Sequence, residues 1–522
     1  MTRRTGKLLL ELAPLLLLIG ACLCQVRFGY FDHDLSGHAF GADDAFISYR
    51  YASNLVAGDG LVFNPGERVE GYSNLLYVLF VAAGLLVLGR DHAYGFSVAI
   101  NLLLIALTYV AFLGMARRRL GGARPLAAAA LFSLTPSVWI WTGSGMETPL
   151  VLLLVVLTWG ALEVALESGE RRAGWALGAL AAVAVLARAD GFLIPLLAAG
   201  FALLRGRRRL ALAVASAAVL TLSLLVAWRL WYYGHPLPST YYVKVSGELG
   251  ERLSSGLGAL FAVATRQGLA LHLGVLAGYA AWALRRRGGR ALASLPFEAC
   301  FGIAWVCYFV YLGGDVLFDR FLVPIFPLAI LLLLRWSQEW GGSRLATARL
   351  VLLAVALGAA QLMPLLFDPR MAYQTAKYDR WVTLGRYLRD HHPDAVLAID
   401  AAGKVPFYSG LTTIDMLGLN DEHIAQLDAR AGFRVGHNKF DPQYVMGRHP
   451  DLIAAWMKPN LDLWWGIDRA RYTRGGYRIR YLCSTDWRPP GPAIIDVSDF
   501  EASAIRRLGG RGYAYAVLER RP

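Results

Sequence analysis

Gly41-Ala42-Asp43-Asp44-Ala45-Phe46-Ile47-Ser48-Tyr49-Arg50 is the stretch on which the reading of this chain turns. It follows a long apolar segment, Leu8 to Val26, and opens a polar connection that runs to Tyr72. Two adjacent carboxylates beside a membrane exit solvate and pack poorly. Like charges this close cannot both ionise freely, so one pKa rises and the pair can hold or accept a proton. A general base needs that property. The structural alternative is an Asp cap on a helix beginning at Ala45-Phe46-Ile47, which accounts for one of the two.

The 522 residues are 56% hydrophobic and only 17% charged, with a mean hydropathy of +0.43. Soluble domains carry about a quarter charged residues, so the composition is that of an integral membrane protein. Leu8–Val26 follows Arg3, Arg4 and Lys7 like a signal peptide. It lacks a small-x-small cleavage site before Asp32 and reads as a retained first helix. The formal charge of +14 is not a nucleic-acid footprint, because the excess sits in short Arg clusters between apolar segments. Of the five cysteines, Cys22, Cys24, Cys300 and Cys307 lie in apolar segments and Cys483 in the polar tail. There is no CxxC metal spacing, and the tail has no second Cys for an internal disulfide.

The clusters Arg117 to Arg119 with Arg124, Arg171-Arg172, Arg205 with Arg207 to Arg209, Arg285 to Arg287 with Arg290, and Arg335 to Arg344 mark cytoplasmic loops by the positive-inside rule. Keeping them all inside requires the short run Leu75 to Leu88 to lie on the outer leaflet as an interfacial helix. The spans then fall near 94–115, 125–141, 148–166, 173–188, 190–204, 210–231, 257–284, 296–312, 320–335 and 346–366. With the first helix this makes eleven, the N-terminus inside and the tail outside. Residues 1–366 are thus expected as the membrane domain, with an outer first loop over 27–93, and 367–522 as a soluble domain.

The outer face receives Asp43-Asp44, Glu147, Arg188-Ala189-Asp190-Gly191, His235 through Lys244, and Gly313-Gly314-Asp315 through Arg320. In the tail, strand-like runs at Val396 to Asp400, Thr412 to Asp415, Asp451 to Ile453, Tyr477 to Arg480 and Tyr513 to Leu518 alternate with turns and with a helical Lys404 to Tyr408. That alternation predicts a small α/β domain. The turn at Gly403 matches neither GxGxxG nor a P-loop, so no nucleotide site is read there.

A first helix, a large outer loop with paired acids, an interfacial helix and a multi-span bundle resemble the GT-C superfamily of glycosyltransferases. Within it, Asp43-Asp44-Ala45-Phe46-Ile47, Asn64 through Asn74, Pro238-Ser239-Thr240 through Lys244, Gly313-Gly314-Asp315 with Arg320, and Asp415-x-x-Gly418-Leu419-x-Asp421 resemble the bacterial terminal arabinofuranosyltransferase (AftB-like) group. The chain departs from that pattern at Pro238-Ser239-Thr240, where Pro-Asn-Thr is expected, and at Arg188-Ala189-Asp190-Gly191, where Arg-Pro-Glu/Asp-Gly is expected.

The resemblance implies a polyprenyl-phosphate sugar donor, of decaprenyl or undecaprenyl type, used on the outer side of a bacterial inner membrane. The acceptor is a cell-envelope glycan or glycoprotein, and arabinofuranose is the first-choice sugar. A donor anchored in lipid requires a polar site at the interface, a base for the acceptor hydroxyl and cations for the leaving phosphate. Asp43 is the expected base, with Asp44 tuning it, orienting the acceptor or holding a metal. Two hard carboxylates suit Mg²⁺ or Ca²⁺, but no third acid is near in sequence, and metal dependence stays open at this point.

Arg188 and Lys244 are outward cations suited to phosphate; an ion pair with Asp190 is the alternative for Arg188. Arg320 either grips phosphate or pairs with Asp315 at the mouth. Glu70, Tyr72 and Asn74 are read as contacts to sugar hydroxyls, against simple capping of the helix at Leu75 by Ser73 or Asn74. Glu147 reads as a cap or loop contact, and His235 as a structural residue in a motif-like loop. Trp139, Trp141, Trp228, Trp231, Tyr232 and Tyr233 read as an aromatic interface belt. Asp415, Asp421 and His437 are candidates for acceptor contact, with turn and cap roles as the alternative.

Three rival functions remain at this stage. One is the same chemistry with a mannosyl, glucosyl or aminoarabinosyl donor. Another is a transporter of lipid-linked sugars, against which stands the scarcity of charge at helix centres. The third is a non-catalytic envelope-assembly factor, which would tolerate loss of both acids.

Overall fold

The computed structural model describes residues 3–28, 41–168, 171–266, 268–287, 295–317, 319–340, 344–367, 379–430, 433–486 and 491–521. Asp32 and the rest of 29–40 in the expected outer loop, Arg290, Phe318 and the junction 368–378 lie outside the described residues.

The chain is a multi-pass membrane protein. Among the described residues five helices are long and apolar enough to cross a bilayer: Leu9–Arg27, Arg90–Arg119, Thr148–Ser168, Arg208–Tyr232 and Arg320–Trp340. Two bent pairs raise the number to seven among the described residues. Each of the eleven expected segments contains helix, but Leu193–Leu204 and Phe297–Tyr311 have only 12 and 15 residues. A straight crossing takes about 20, so length and composition do not yield eleven spans.

Two expected spans are broken. The segment 125–141 divides into Arg124–Ser133 and Pro136–Gly143, bent by 49°. Pro136 has no N–H to continue the first helix and drives Thr135 into an extended conformation, φ −92° and ψ 103°. The segment 257–284 divides into Leu249–Arg266 and Ala270–Arg287, which meet at 111°. Gly268 makes that reversal at φ +70°, where an added Cβ would lie 1.8 Å from the carbonyl oxygen of Ala360. A side chain fits neither the dihedral nor the space.

Charge sorts to the two ends of the bundle. Glu147 immediately precedes helix Thr148–Ser168 and Glu163 lies near its far end, about 24 Å away at 1.5 Å per residue. At the Glu163 end Arg119 pairs with Glu163, and Arg119 and Arg335 reach Glu298 at 3.6 and 3.2 Å. The basic clusters therefore gather opposite the Glu147 end.

The tail builds a six-stranded mixed sheet of order β2-β1-β3-β6-β4-β5. Its strands are β1 Val396–Ile399, β2 Thr412–Asp415, β3 Leu452–Trp456, β4 Tyr477–Cys483, β5 Ile494–Asp496 and β6 Tyr515–Arg520. β1 runs parallel to both β2 and β3, and the remaining pairs are antiparallel. One face packs Leu397, Ile399 and Val517 against Leu384 and Leu388 of helix Arg380–His391. The other packs Ile414, Ile453 and Leu518 against Ile424 and Ile505. The expected strands are present. β5 escaped the sequence reading because it is three residues long and follows Pro489-Pro490-Gly491-Pro492, which shows no alternation.

The first loop and the tail are joined by buried polar contacts. Arg50, in helix Ala45–Ala57, donates to the carbonyls of Phe63 (2.6 Å), Pro406 (2.5 Å) and Leu411 (2.7 Å) and to Asn64 Oδ1 (3.0 Å). Asn64 in turn donates to the Thr413 carbonyl (2.8 Å) and accepts from its N–H (3.0 Å). A buried guanidinium satisfied by four acceptors holds three segments in one register.

Candidate active site

Asp44 stands at the N-cap of helix Ala45–Ala57 yet makes no side-chain capping bond, so capping does not account for it. Asp43 turns instead to the tail, where its carboxylate accepts from the backbone N–H of Lys404 (2.8 Å) and Gly403 (3.2 Å) at the start of helix Lys404–Ser409. The buried Lys404 ammonium bonds the Gly41 carbonyl (2.8 Å) and pairs with Asp379. Burial raises the Asp43 pKa to about 7; the Lys404 amide and ammonium oppose the rise, and the charges of Asp44 and Asp379 add to it.

A first cavity of about 370 Å³ opens beside this pair. It gathers seven of the ten candidate residues, Asp44, Tyr72, Asn74, Arg188, Lys244, Asp315 and Arg320, from five separate stretches of the sequence. Asn74 makes no capping bond to its helix. Its amide bridges Ser48 Oγ (3.0 Å) and Glu147 Oε2 (2.9 Å). Arg188 holds Asp190 bidentately at 2.5 and 2.8 Å, and Arg320 holds Asp315 at 3.0 Å. Both guanidiniums also lie on the ring of Phe321, at 4.3 and 5.2 Å from its centroid, an arrangement that stabilises packed cations. Lys244 is half-buried and makes no hydrogen bond or ion pair among the described residues.

A second cavity of about 240 Å³ lies between the pair and the tail. Asp43 lines it, with Asp400, Arg434, His437, Trp381, Trp456, Trp464 and Trp465. Asp44, Ile47, Lys244, Leu419 and Val435 line both cavities and form their common wall. Among the described residues no three His, Cys, Asp or Glu side chains cluster as a metal site.

Two candidates stand outside both cavities. Glu70 is buried, and both its oxygens are engaged by Arg229 at 2.8 to 3.1 Å. His235 bonds Glu422 at 2.6 Å at the surface. Asp415 accepts from the backbone of Leu417 and Asn420, and Asp421 caps helix Glu422–Gln426, so both serve turns and caps. Trp141 does not belong to an interface belt: it is buried and donates its indole N–H to Asp319 (2.8 Å).

Glu147, Arg229, Tyr308 and Phe321 line the first cavity without having been singled out for it. For Glu147 a signal existed, a carboxylate in an apolar outer loop, but it matched a helix cap equally well.

Two solved structures share this fold. ArnT from Cupriavidus metallidurans, bound to undecaprenyl phosphate, superposes with a TM-score of 0.54 at 12% identity over 99% of this chain and 98% of that one. The archaeal oligosaccharyltransferase AglB from Archaeoglobus fulgidus, in complex with an inhibitory peptide and a dolichol-phosphate, gives 0.52 at 13% identity over 78% and 64%. At such identities the likeness is one of fold, and that fold is GT-C.

Sequence narrows the resemblance. The terminal β-(1→2)-arabinofuranosyltransferase of Mycobacterium tuberculosis is 30% identical over 328 residues, 55% of this chain and 51% of that protein. Its counterpart from Corynebacterium glutamicum is 28% identical over 337 residues, 55% and 47%. The chain spans about half the length of both relatives. Residues 370–502 match a domain of unknown function, DUF8728.

Proposed function

We propose that this protein is a glycosyltransferase that moves a sugar, arabinofuranose as the first choice, from a polyprenyl phosphate to a cell-envelope glycan or glycoprotein. In this reading residues 1–366 form the catalytic membrane domain of a bacterial inner-membrane enzyme. The N-terminus is cytoplasmic, helix Leu75–Leu88 lies on the outer leaflet, and residues 367–522 work outside the membrane. The observation that carries the reading is the common wall of the two cavities, where the Asp44 carboxylate and the Lys244 ammonium, unpaired among the described residues, stand together.

The donor phosphate occupies the first cavity. Lys244 contacts it directly, and Arg188 and Arg320 add positive field through N–H groups that Asp190 and Asp315 leave free. The acceptor hydroxyl arrives from the tail side. The Asp43–Asp44 pair takes its proton, the hydroxyl oxygen bonds to the anomeric carbon, and the electron pair of the broken C–O bond leaves with the polyprenyl phosphate. Asp44 is the member that reaches both cavities; Asp43, raised to about 7 by burial, is matched to a proton acceptor near neutral pH.

The test uses purified protein in nanodiscs, offered polyprenyl-phosphate arabinose, mannose and glucose in parallel. Turnover or hydrolysis of one donor, abolished in the Asp43→Asn, Asp44→Asn double variant, supports the assignment. A double variant that transfers at the normal rate overturns it.

A further inference from the structure

The second cavity has a fixed place in the tail sheet. Asp400 to Ala402 follow β1, Leu417 and Leu419 follow β2, and Trp456 ends β3, so the cavity lies at the C-terminal ends of three mutually parallel strands. In the order β2-β1-β3 the chain leaves β1 to one side for β2 and returns to the other side for β3. Such a switch point opens a crevice at the strand ends, where open α/β sheets take their ligands.

The walls of that crevice are costly to build. Trp465 and Leu461 hold left-handed backbones, φ +63° and +71°, at about 1–3 kcal/mol each for non-glycine residues. The loop is pinned by Trp464 N–H to the Trp456 carbonyl (2.9 Å) and by Trp465 Nε1–H to Asp400 Oδ2 (2.8 Å). Tyr515 Oη–H donates to the other Asp400 oxygen (2.8 Å). Asp400 is thereby consumed in holding the loop. The outcome is that Trp464 stands 39% exposed on the cavity wall, an indole displayed where packing would hide it.

We propose that this cavity is the subsite for the terminal sugar of the acceptor, with Trp464 as the platform on which the ring stacks and His437 and Arg434 as its polar rim. The inference rests on the glycosyltransferase reading and adds to it the place and chemistry of the acceptor. An indole face matches the C–H face of a neutral sugar, and few polar groups around an apolar surface is the usual make-up of a small-molecule site. A sugar seated there borders Asp43 and Asp44 across the wall shared with the donor cavity.

The experiment compares full-length wild type with Trp464→Ala and Trp464→Phe in nanodiscs, using a synthetic arabinofuranosyl oligosaccharide as acceptor and probe. Trp464→Ala is expected to raise the acceptor KM at least tenfold with kcat within twofold, and Trp464→Phe to recover most of the loss. An acceptor KM unchanged in Trp464→Ala overturns the subsite. Direct titration calorimetry of the same oligosaccharide, without donor, separates this from failure of the parent reading. Saturable binding to wild type that Trp464→Ala loses supports the subsite even in a chain that transfers none of the three donors. Binding that the variant keeps, or its absence in wild type, overturns it.

Discussion

Asp43 and Lys404 lie 361 positions apart in sequence, yet the Asp43 carboxylate accepts the Lys404 backbone N–H at 2.8 Å. One member of the acidic pair is therefore seated by the tail. An Asp43→Asn substitution keeps the shape but offers a single acceptor atom to two amides. Transfer is expected to fall at least tenfold and the tail to loosen by about 1–3 kcal/mol. Activity and limited proteolysis, followed together, check this.

Gly403 makes the approach feasible. A Cβ there would stand 2.0 Å from the Asp43 carbonyl oxygen and 2.6 Å from its carbon, whereas one at Gly447 would meet nothing within 4 Å. Gly403→Ala is expected to lose more than 90% of activity, and Gly447→Ala to retain it. Equal activity in the two purified variants would show that the tail contact is dispensable.

Lys244 and Arg188 differ in what their removal exposes. Lys244 has no partner to orphan among the described residues, so Lys244→Gln is expected to weaken binding of polyprenyl phosphate about tenfold while changing stability by less than about 0.5 kcal/mol. Arg188→Ala leaves the Asp190 carboxylate buried and unpaired, at about 3–5 kcal/mol. Thermal denaturation with and without the lipid phosphate distinguishes the two.

The pH dependence follows from Asp43, whose pKa is raised from 3.8 to about 7. The folded state holds this proton more tightly than the unfolded chain does. Stability is therefore expected to fall as pH rises from about 4 to 7, with the penalty complete above 7. Activity runs the other way, because the carboxylate form accepts the proton; kcat/KM should climb through pH 7. D43N should flatten both profiles, which melting curves and initial rates across pH 5 to 9 can verify.

Much of the site was legible because charge sorts by side. Loops that leave the bundle at the same end must share a face, and that sufficed to bring Asp44, Arg188, Lys244, Asp315 and Arg320 together. Distance was not legible: nothing near Asp43 announces Lys404, and Arg50 reads as one arginine among many until Pro406 and Leu411 arrive from the tail. Trp464 and Trp465 gave no signal either, since their loop has no periodicity and two of its left-handed residues, Leu461 and Trp465, are not glycines. The break before Pro136 was readable in principle, but the continuous apolar run masked it.

The pairing of cations in the first cavity bears on how a cycle ends. Arg188 arrives matched with Asp190, Arg320 with Asp315 and Arg229 with Glu70. A sugar phosphodiester carries one negative charge, but the phosphomonoester left behind approaches two. Three bare guanidiniums would clamp that spent carrier more tightly than the fresh one and stall turnover. In the proposed reaction the carboxylate beside each guanidinium limits that grip: the free N–H groups of Arg188 and Arg320 still meet the phosphate, while the used lipid can slip back into the leaflet.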